Sequence, residues 1–375
     1  MRSIPEAVEL TRQLLAFNTI NPPGNEHACA QHLGELLQRG GFEVSYHEFA
    51  PQRASVVARI GGRKGKPPLG FTGHIDVVPL GAATWKHEPF AGTVEGGKLY
   101  GRGSSDMKSG VAAFTVAALR LADRLRQSAG VVLVITADEE CGCGGAFHLA
   151  RERNALGEIG ALVVGEPTAN YPLIGHKGAL WLKGVTSGVT AHGSMPDHGD
   201  NAVYKAAEAV LKLKAFDFGA AAHALMGKPT LNVGSLHGGL NINSVPDAAE
   251  FQIDIRTTPG MNHERLRLRL SEFLGGQVKL TPMIDVGPVY TDPSDPWVQS
   301  VYALMASHPG GRPEPRCATY FTDAAALNQA YGDPPTVILG PGEPQMAHQT
   351  DEYCYVERID QAVEIYAQLM RDWCA

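Results

Sequence analysis

The chain has 375 residues, of which 44% are hydrophobic and 19% charged, with a formal net charge of −7. This length exceeds one ordinary core and predicts two domains, or one domain carrying an insert, while the composition excludes an extensively disordered chain. The acidic balance argues against nucleic acid or an anionic membrane surface as a partner.

The first third alternates helix and strand signals. Ser3 to Phe17 reads as a helix, with Ser3 as its N-cap and Pro5 near its start. Asn25 to Gly40 reads as a second helix that Gly40 ends. Strand-like runs follow at Phe42 to Phe49, Ser55 to Ile60 and Pro68 to Gly73, then a long apolar helix from Met107 to Leu125. The runs Val131 to Thr136 and Ala161 to Gly165 are apolar on every side, the mark of buried parallel strands between helices. From 177 to 287 the texture changes. Strand-like stretches at Ala179 to Val189, Pro229 to Leu236 and Ala248 to Arg256 alternate more, and helical stretches lie at Asn201 to Phe216 and His263 to Leu274. After 290 the first texture returns, with the strand Pro335 to Leu339 and a closing amphipathic helix from Val356 to Arg371. The expected fold is α/β: a catalytic domain of residues 1–176 and 288–375 with a mostly parallel sheet and helices on both faces, and a smaller α+β lid or dimerisation domain inserted at 177–287.

The six cysteines, at 29, 141, 143, 317, 354 and 374, do not read as a disulfide framework in a chain of this length. No apolar signal core follows a basic start. The stretch Val111 to Ala122 is interrupted by Arg120 and too short to span a bilayer. The expectation is a cytoplasmic protein with no membrane partner.

The residues just past each buried run carry chemistry. Gly73-His74-Ile75-Asp76, Asp138-Glu139-Glu140, Glu166-Pro167-Thr168, and Gly340-Pro341-Gly342 with His348 beyond it each succeed a predicted strand. In an open parallel sheet ligands bind beyond the carboxyl ends of the strands, so these groups point at one crest. Asp106 lies in the glycine-rich loop Gly101 to Lys108 that opens a helix, and can reach the same place. His74, Asp106, Glu140, Glu166 and His348 form a nitrogen and oxygen set suited to Zn²⁺, with Co²⁺ or Mn²⁺ as substitutes. If Asp106 bridges, each of two metals receives one His and one Glu, and three carboxylates with one bridging hydroxide balance the charge. Such a hydroxide is a nucleophile at neutral pH, and one acid of the Glu139-Glu140 pair stays free to take a proton. Taken singly, His74 reads as a hydrogen-bonded structural residue, the acidic run as a solvated helix start and Glu166 as a turn cap. Their recurrence at several strand ends favours the metal reading. Cys141 and Cys143 read as small turn residues among glycines, with soft metal ligation as the alternative. Gly101-Arg102-Gly103 lacks the spacing of a phosphate loop.

These residues resemble the co-catalytic zinc amidohydrolases and peptidases, a family that includes acetylornithine deacetylase, succinyl-diaminopimelate desuccinylase, glutamate-type carboxypeptidase and aminoacylase. The resemblance covers essentially the whole chain. It rests on Gly73 to Pro79, on Trp85, Pro89-Phe90 and Gly101 to Lys108, and on Asp138-Glu139-Glu140, Gly165 to Thr168 and Ala347 to Tyr353. It implies two Zn²⁺ per chain, one held by His74 and Glu166, the other by Glu140 and His348, with Asp106 bridging. It further implies that Asp76 orients His74, that Glu139 is the general base, and that the Asp106–Met107 peptide is cis. Thr190 to Ser194 resembles a segment whose His192 reaches across a homodimer to stabilise an oxyanion in the partner's site. Asn243, Arg256 and Gly342 resemble substrate-binding positions.

Val164 to Thr168, His176 to Gly178 and Leu339 to Gly342 together are most similar to acetylornithine deacetylase, which implies hydrolysis of an N-acyl-L-amino acid by a zinc-bridging hydroxide. Desuccinylase and glutamate-type carboxypeptidase or dipeptidase activity on a short peptide remain alternatives, although Gly178 to Trp181 offers no paired arginines for a second carboxylate. A non-catalytic metal-binding scaffold is the alternative of another class, and a nucleotide-dependent oxidoreductase fails for want of a G-x-G-x-x-G fingerprint.

Overall fold

A computed structural model describes residues 4–62, 65–308 and 310–375, so the cap expected at Ser3 lies outside the described residues. The chain divides into two compact units, one of Met1–Gly175, Val289–Cys317 and Thr322–Ala375, the other of His176–Pro288 and Ala318–Phe321. In chain order the first unit begins with α1 (Ala7–Leu15), α2 (His27–Arg39), β1 (Glu43–Ala50), β2 (Arg53–Ile60), β3 (Leu69–His74), β4 (Thr93–Glu95), β5 (Lys98–Tyr100), α3 (Lys108–Arg120), α4 (Ala122–Leu125), β6 (Val131–Thr136), α5 (Gly144–Arg151) and β7 (Ala161–Val164). The two-residue β8 (Gly175–His176) ends this run, and the second unit holds β9 (Gly178–Ser187), α6 (Ala202–Leu213), β10 (Thr230–Gly238), β11 (Ala248–Thr257), α7 (His263–Leu274) and β12 (Val278–Val286). The first unit resumes with β13 (Val289–Tyr290), α8 (Pro296–Met305), α9 (Ala324–Ala330), β14 (Thr336–Ile338), β15 (Tyr353–Tyr355) and α10 (Val356–Trp373).

The first unit is built on a six-stranded sheet in the order β1-β2-β6-β3-β7-β14. β6, β3, β7 and β14 run parallel, so the residues that succeed them emerge on one edge. β1 and β2 are the antiparallel members of this mostly parallel sheet: they pair antiparallel to each other, and β2 antiparallel to β6. Only Pro51 and Gln52 connect β1 to β2, with Gln52 at φ 63, and a link this short permits a hairpin and no crossover. The expected single helix from Met107 to Leu125 is interrupted at Leu121, giving α3 and α4. From Lys108 to Leu119 every residue of α3 is buried, because α3 packs on β3 with α1 and α10 against it. Phe71 of β3 meets Phe114 of α3 and Tyr366 of α10 at ring separations of 5.9 and 5.5 Å. Each such aromatic contributes about 1.5–3 kcal/mol through burial. The buried Lys108 is satisfied by the carbonyls of Leu14 and Phe17, both 3.0 Å from its Nζ at the end of α1, where a helix dipole favours a cation.

The second unit is a four-stranded antiparallel sheet in the order β10-β11-β9-β12 with two helices. β11 alternates buried and exposed residues, so one face carries the core, in which Leu180, Leu182, Phe251, Ile253 and Ile255 meet Ala206 and Leu213 of α6 and Leu266 and Leu270 of α7. Asn201 and Asn262 cap the two helices, their side-chain oxygens accepting from backbone N–H groups of the first turn. Among the described residues no helix is long and apolar enough to cross a membrane.

Candidate metal centre

Each parallel strand hands its chain to a turn that aims an acid or imidazole over the sheet edge. His74 is the last residue of β3 and is 1% exposed. After β6 the chain turns at Asp138, whose left-handed φ of 65 sets Glu139 and Glu140 in succession. Glu166 lies just past β7, and Asp106 precedes α3 across a cis peptide to Met107. His348 comes after β14 by way of a short 3₁₀ turn and is itself left-handed, at φ 64.

These turns bring the side chains together. His74 Nε2 lies 3.2 Å from Asp106 Oδ1, 3.7 Å from Glu166 Oε1 and 3.9 Å from Glu139 Oε2. His348 Nε2 lies 3.4 Å from Asp106 Oδ2 and 3.1 Å from Glu140 Oε2. Asp106 therefore turns one carboxylate oxygen toward each imidazole. Ligand atoms of His74, Asp106 and Glu140, and likewise of His74, Glu139 and Glu166, fall within 4.8 Å of one another. The second grouping includes Glu139, the acid that the resemblance reserves for proton transfer, although it stands slightly farther from His74 than Glu166 does.

The electrostatics call for cations. Burial pushes the Glu139 and Glu166 carboxyls well above the usual range, with mutual repulsion adding to it against the pull of His74. Burial and the charge of Asp106 raise Glu140 to about 7. Asp106 is the exception, since hydrogen bonds from His348 and His74 overcome its burial and hold it low. Glu140 Oε1 is buried without a hydrogen-bond partner. Crowded carboxylates, an unpartnered oxygen and two imidazoles with ring nitrogens facing inward fit divalent metals of the zinc, cobalt or manganese type.

Asp76 bonds chiefly to groups other than His74. Its carboxylate accepts from the backbone N–H of Glu139 and of Glu140, both at 3.1 Å, and from Asn21 Nδ2 at 2.8 Å. Toward His74 Nδ1 the nearer acceptor is the Asp76 backbone carbonyl, at 3.0 Å, with the carboxylate at 3.5 Å. Asp76 thus holds the turn that carries Glu139 and Glu140. Gly342 is buried, and a Cβ there would stand 2.1 Å from the Ser105 carbonyl, so this position has a packing requirement beside Asp106. Cys143 is buried at φ 61 and Cys141 exposed, and among the described residues neither joins a group of metal-type ligands.

His192, Asn243 and Arg256 belong to the second unit. His192 is exposed, with Nδ1 2.8 Å from Ser194 Oγ, and the Asn243 carbonyl accepts from Gly193 N at 2.7 Å, so these two positions adjoin. Arg256 lies apart on β11, paired with Asp254 at 2.9 Å and 5.9 Å above the Trp181 ring.

Sequence reasoning missed the groups that support the cluster. Arg53 bonds buried Glu26 at 2.6 Å and Asp138 at 2.8 Å, and Asn21 Nδ2 joins Asp138 to Asp76. Asp323 is buried beside Glu139 and Glu166, accepts from Thr136 Oγ1, and is pushed up by burial to about 6. Each is a lone polar residue far along the chain, and no spacing rule marks it.

Residues 70–372 match the family described as peptidase family M20/M25/M40. Acetylornithine deacetylases of Vibrio cholerae serotype O1 and Aliivibrio salmonicida are 29% and 30% identical over 391 and 393 residues, covering 99% of this chain and 99% of theirs. Among solved structures, an M20 family metallo-carboxypeptidase from Sulfolobus solfataricus shares the fold with a TM-score of 0.82 at 19% identity, over 98% of this chain and 99% of its own. A dinuclear metal binding peptidase of the M20 family from Bacillus subtilis does so with a TM-score of 0.70 at 16% identity, over 97% and 96%.

Proposed function

The chain belongs to peptidase family M20/M25/M40 and is a metal-dependent amidohydrolase, and from that premise we propose that it hydrolyses an N-acyl-L-amino acid of the acetylornithine class with two Zn²⁺ at the strand-end cluster. The observation that carries this reading is Asp106, with one oxygen facing each imidazole. His74 and Glu166 would hold one metal and Glu140 and His348 the other, with Asp106 placed to serve both. The metals, when bound, supply Lewis acidity for the amide carbonyl and for a water at neutral pH.

The chain's own residues do the rest. Glu139 is buried and, among the described residues, has no cationic partner other than His74. It takes a proton from water and returns it to the leaving amine. Asp76 and Asn21 hold Glu139 in register. The Arg256 fork receives the substrate carboxylate, exchanging its bond to Asp254 for it. Asn243 and Gly342 complete the substrate contacts, and His192 donates to the developing oxyanion.

His192 acts from the partner of a homodimer. In support, β10 is a sheet edge, and the second unit exposes Leu240 at 99%, Ile242 at 102%, and Tyr204 and Leu211 at 70% each, large apolar side chains of the kind that a protein partner covers. The test is turnover of a panel of N-acetyl, N-succinyl and dipeptide substrates by the zinc- or cobalt-loaded protein. Hydrolysis of N-acetyl amino acids is expected. Inactivity on all of them by a fully loaded sample would overturn the reading.

A further inference from the structure

Arg102 and Glu352 are 1% and 0% exposed, and neither belongs to the candidate ligand set. Their bonds go to the segments that carry it. Glu352 Oε2 accepts from Arg102 NH1 at 2.7 Å and from Gly103 N at 3.0 Å. Its Oε1 accepts from Ser105 N at 2.8 Å and from Asp106 N at 2.9 Å. Arg102 NH1 also donates to the Gln349 carbonyl at 3.2 Å, while NH2 donates to Pro79 at 3.2 Å and His348 at 3.4 Å. One ion pair thus ties together the backbone of the Asp106 loop, the His348 loop and the loop that leads on from His74.

A buried ion pair recovers its desolvation cost only when hydrogen bonds complete it, and an apolar pair of like volume often serves stability as well or better. Fold stability alone therefore does not account for it. The need is plain at His348. Its side chain is 54% exposed, so packing does not hold the ring. Its left-handed backbone sets where the ring leaves the chain toward Glu140 and Asp106, and the Arg102 fork grips that backbone at the carbonyls of 348 and 349. The Glu352 carboxylate grips the N–H of Asp106 itself, which fixes the direction in which that side chain leaves the chain.

We infer that Arg102 and Glu352 are positioning residues, a clamp that sets Asp106 and His348 as one preformed half of the metal centre. The inference rests on the two-metal reading proposed above. His74 ends a buried strand and has its own support, so the clamp governs chiefly the ion shared by Glu140, His348 and Asp106.

Calorimetric titration of Zn²⁺, and of Co²⁺ with its visible spectrum followed, into metal-free wild type, Glu352→Gln and Arg102→Lys tests this. Arg102→Lys keeps a buried cation for Glu352 but gives up the fork to three carbonyls. Wild type is expected to take two ions. Each folded variant is expected to weaken the ion at Glu140 and His348 by about 10–100-fold and the other, which has Asp106 in common with it, by less, with the second Co²⁺ equivalent changing its spectrum most. Circular dichroism and melting report folding, and if Glu352→Gln fails to fold, Arg102→Lys decides. Two ions at wild-type affinity in a folded variant overturn the clamp. So does failure of both variants to fold, which makes the pair a prop of the fold. Fewer than two ions in wild type overturns the two-metal reading, and the clamp with it, before any variant is compared.

Discussion

His74 and His192 were marked by sequence for the same reaction, and the two units treat them in opposite ways. His74 ends a buried strand with four carboxylates within 3.9 Å. His192 stands on an exposed loop with Ser194 as its side-chain partner. The first unit has already spent folding energy to gather like charges, a cost of burial that a bound cation offsets. The second has gathered little: its candidate residues lie on surface loops and a strand, His192 beside Ser194 and Arg256 beside Asp254. The proposed metal centre is preformed, and the substrate contacts proposed for the second unit are not.

Removing metal presses hardest on the preformed side. Dialysis against a chelator is expected to abolish turnover, and Zn²⁺ or Co²⁺ to restore it; activity that survives complete metal removal would break the comparison at its root. Next come the two proton- and charge-handling groups. Glu139→Gln is expected to lose at least about 10²-fold in kcat with metal content unchanged, and His192→Ala about 10²–10³-fold. Mixing the two inactive variants sharpens the contrast between the units. If His192 works across a dimer, the mixed dimer contains one site free of both lesions, and activity returns. No recovery in verified mixed dimers would return His192 to its own chain.

Smaller effects probe the second unit. Arg256→Lys keeps the charge but loses the planar fork, and KM is expected to rise about tenfold with kcat less affected. An unchanged KM would remove Arg256 from the carboxylate. The Lys183–Glu250 pair, with side chains 40% and 41% exposed, is the foil to the buried Arg102–Glu352 pair. Lys183→Met is expected to change stability by less than about 1 kcal/mol in a denaturant titration.

Much of this was legible in the sequence because its periods are physical. The β-branched run Val131 to Thr136 is buried along its whole length and forms β6, and the alternation in Ala248 to Arg256 matches the one buried face of β11. Other elements were hidden by residues that usually break structure. β12 contains Pro282, tolerated on a sheet edge beside a bulge in its pairing with β9. α5 opens with Gly144 and Gly145, where a Cβ would approach Asp138 Oδ2 to 2.1 Å and the Ala137 carbonyl to 2.2 Å. Those glycines obey a packing demand that local propensity does not register. β4, β5 and β15, at three residues each, are too short to show a period.

For the cluster at the sheet edge, sequence alone determined which residue types succeed the buried strands, since strand and turn patterns are local and the chemistry of histidine and carboxylate is intrinsic. Only tertiary structure decided that Asp106 faces both imidazoles, that Asp76 holds the Glu139 turn, and that Arg102 and Glu352 join three loops. Those contacts span 63 positions from Asp76 to Glu139 and 246 from Asp106 to Glu352. Distances of that kind are set by how strands stack into a sheet, which no local pattern encodes.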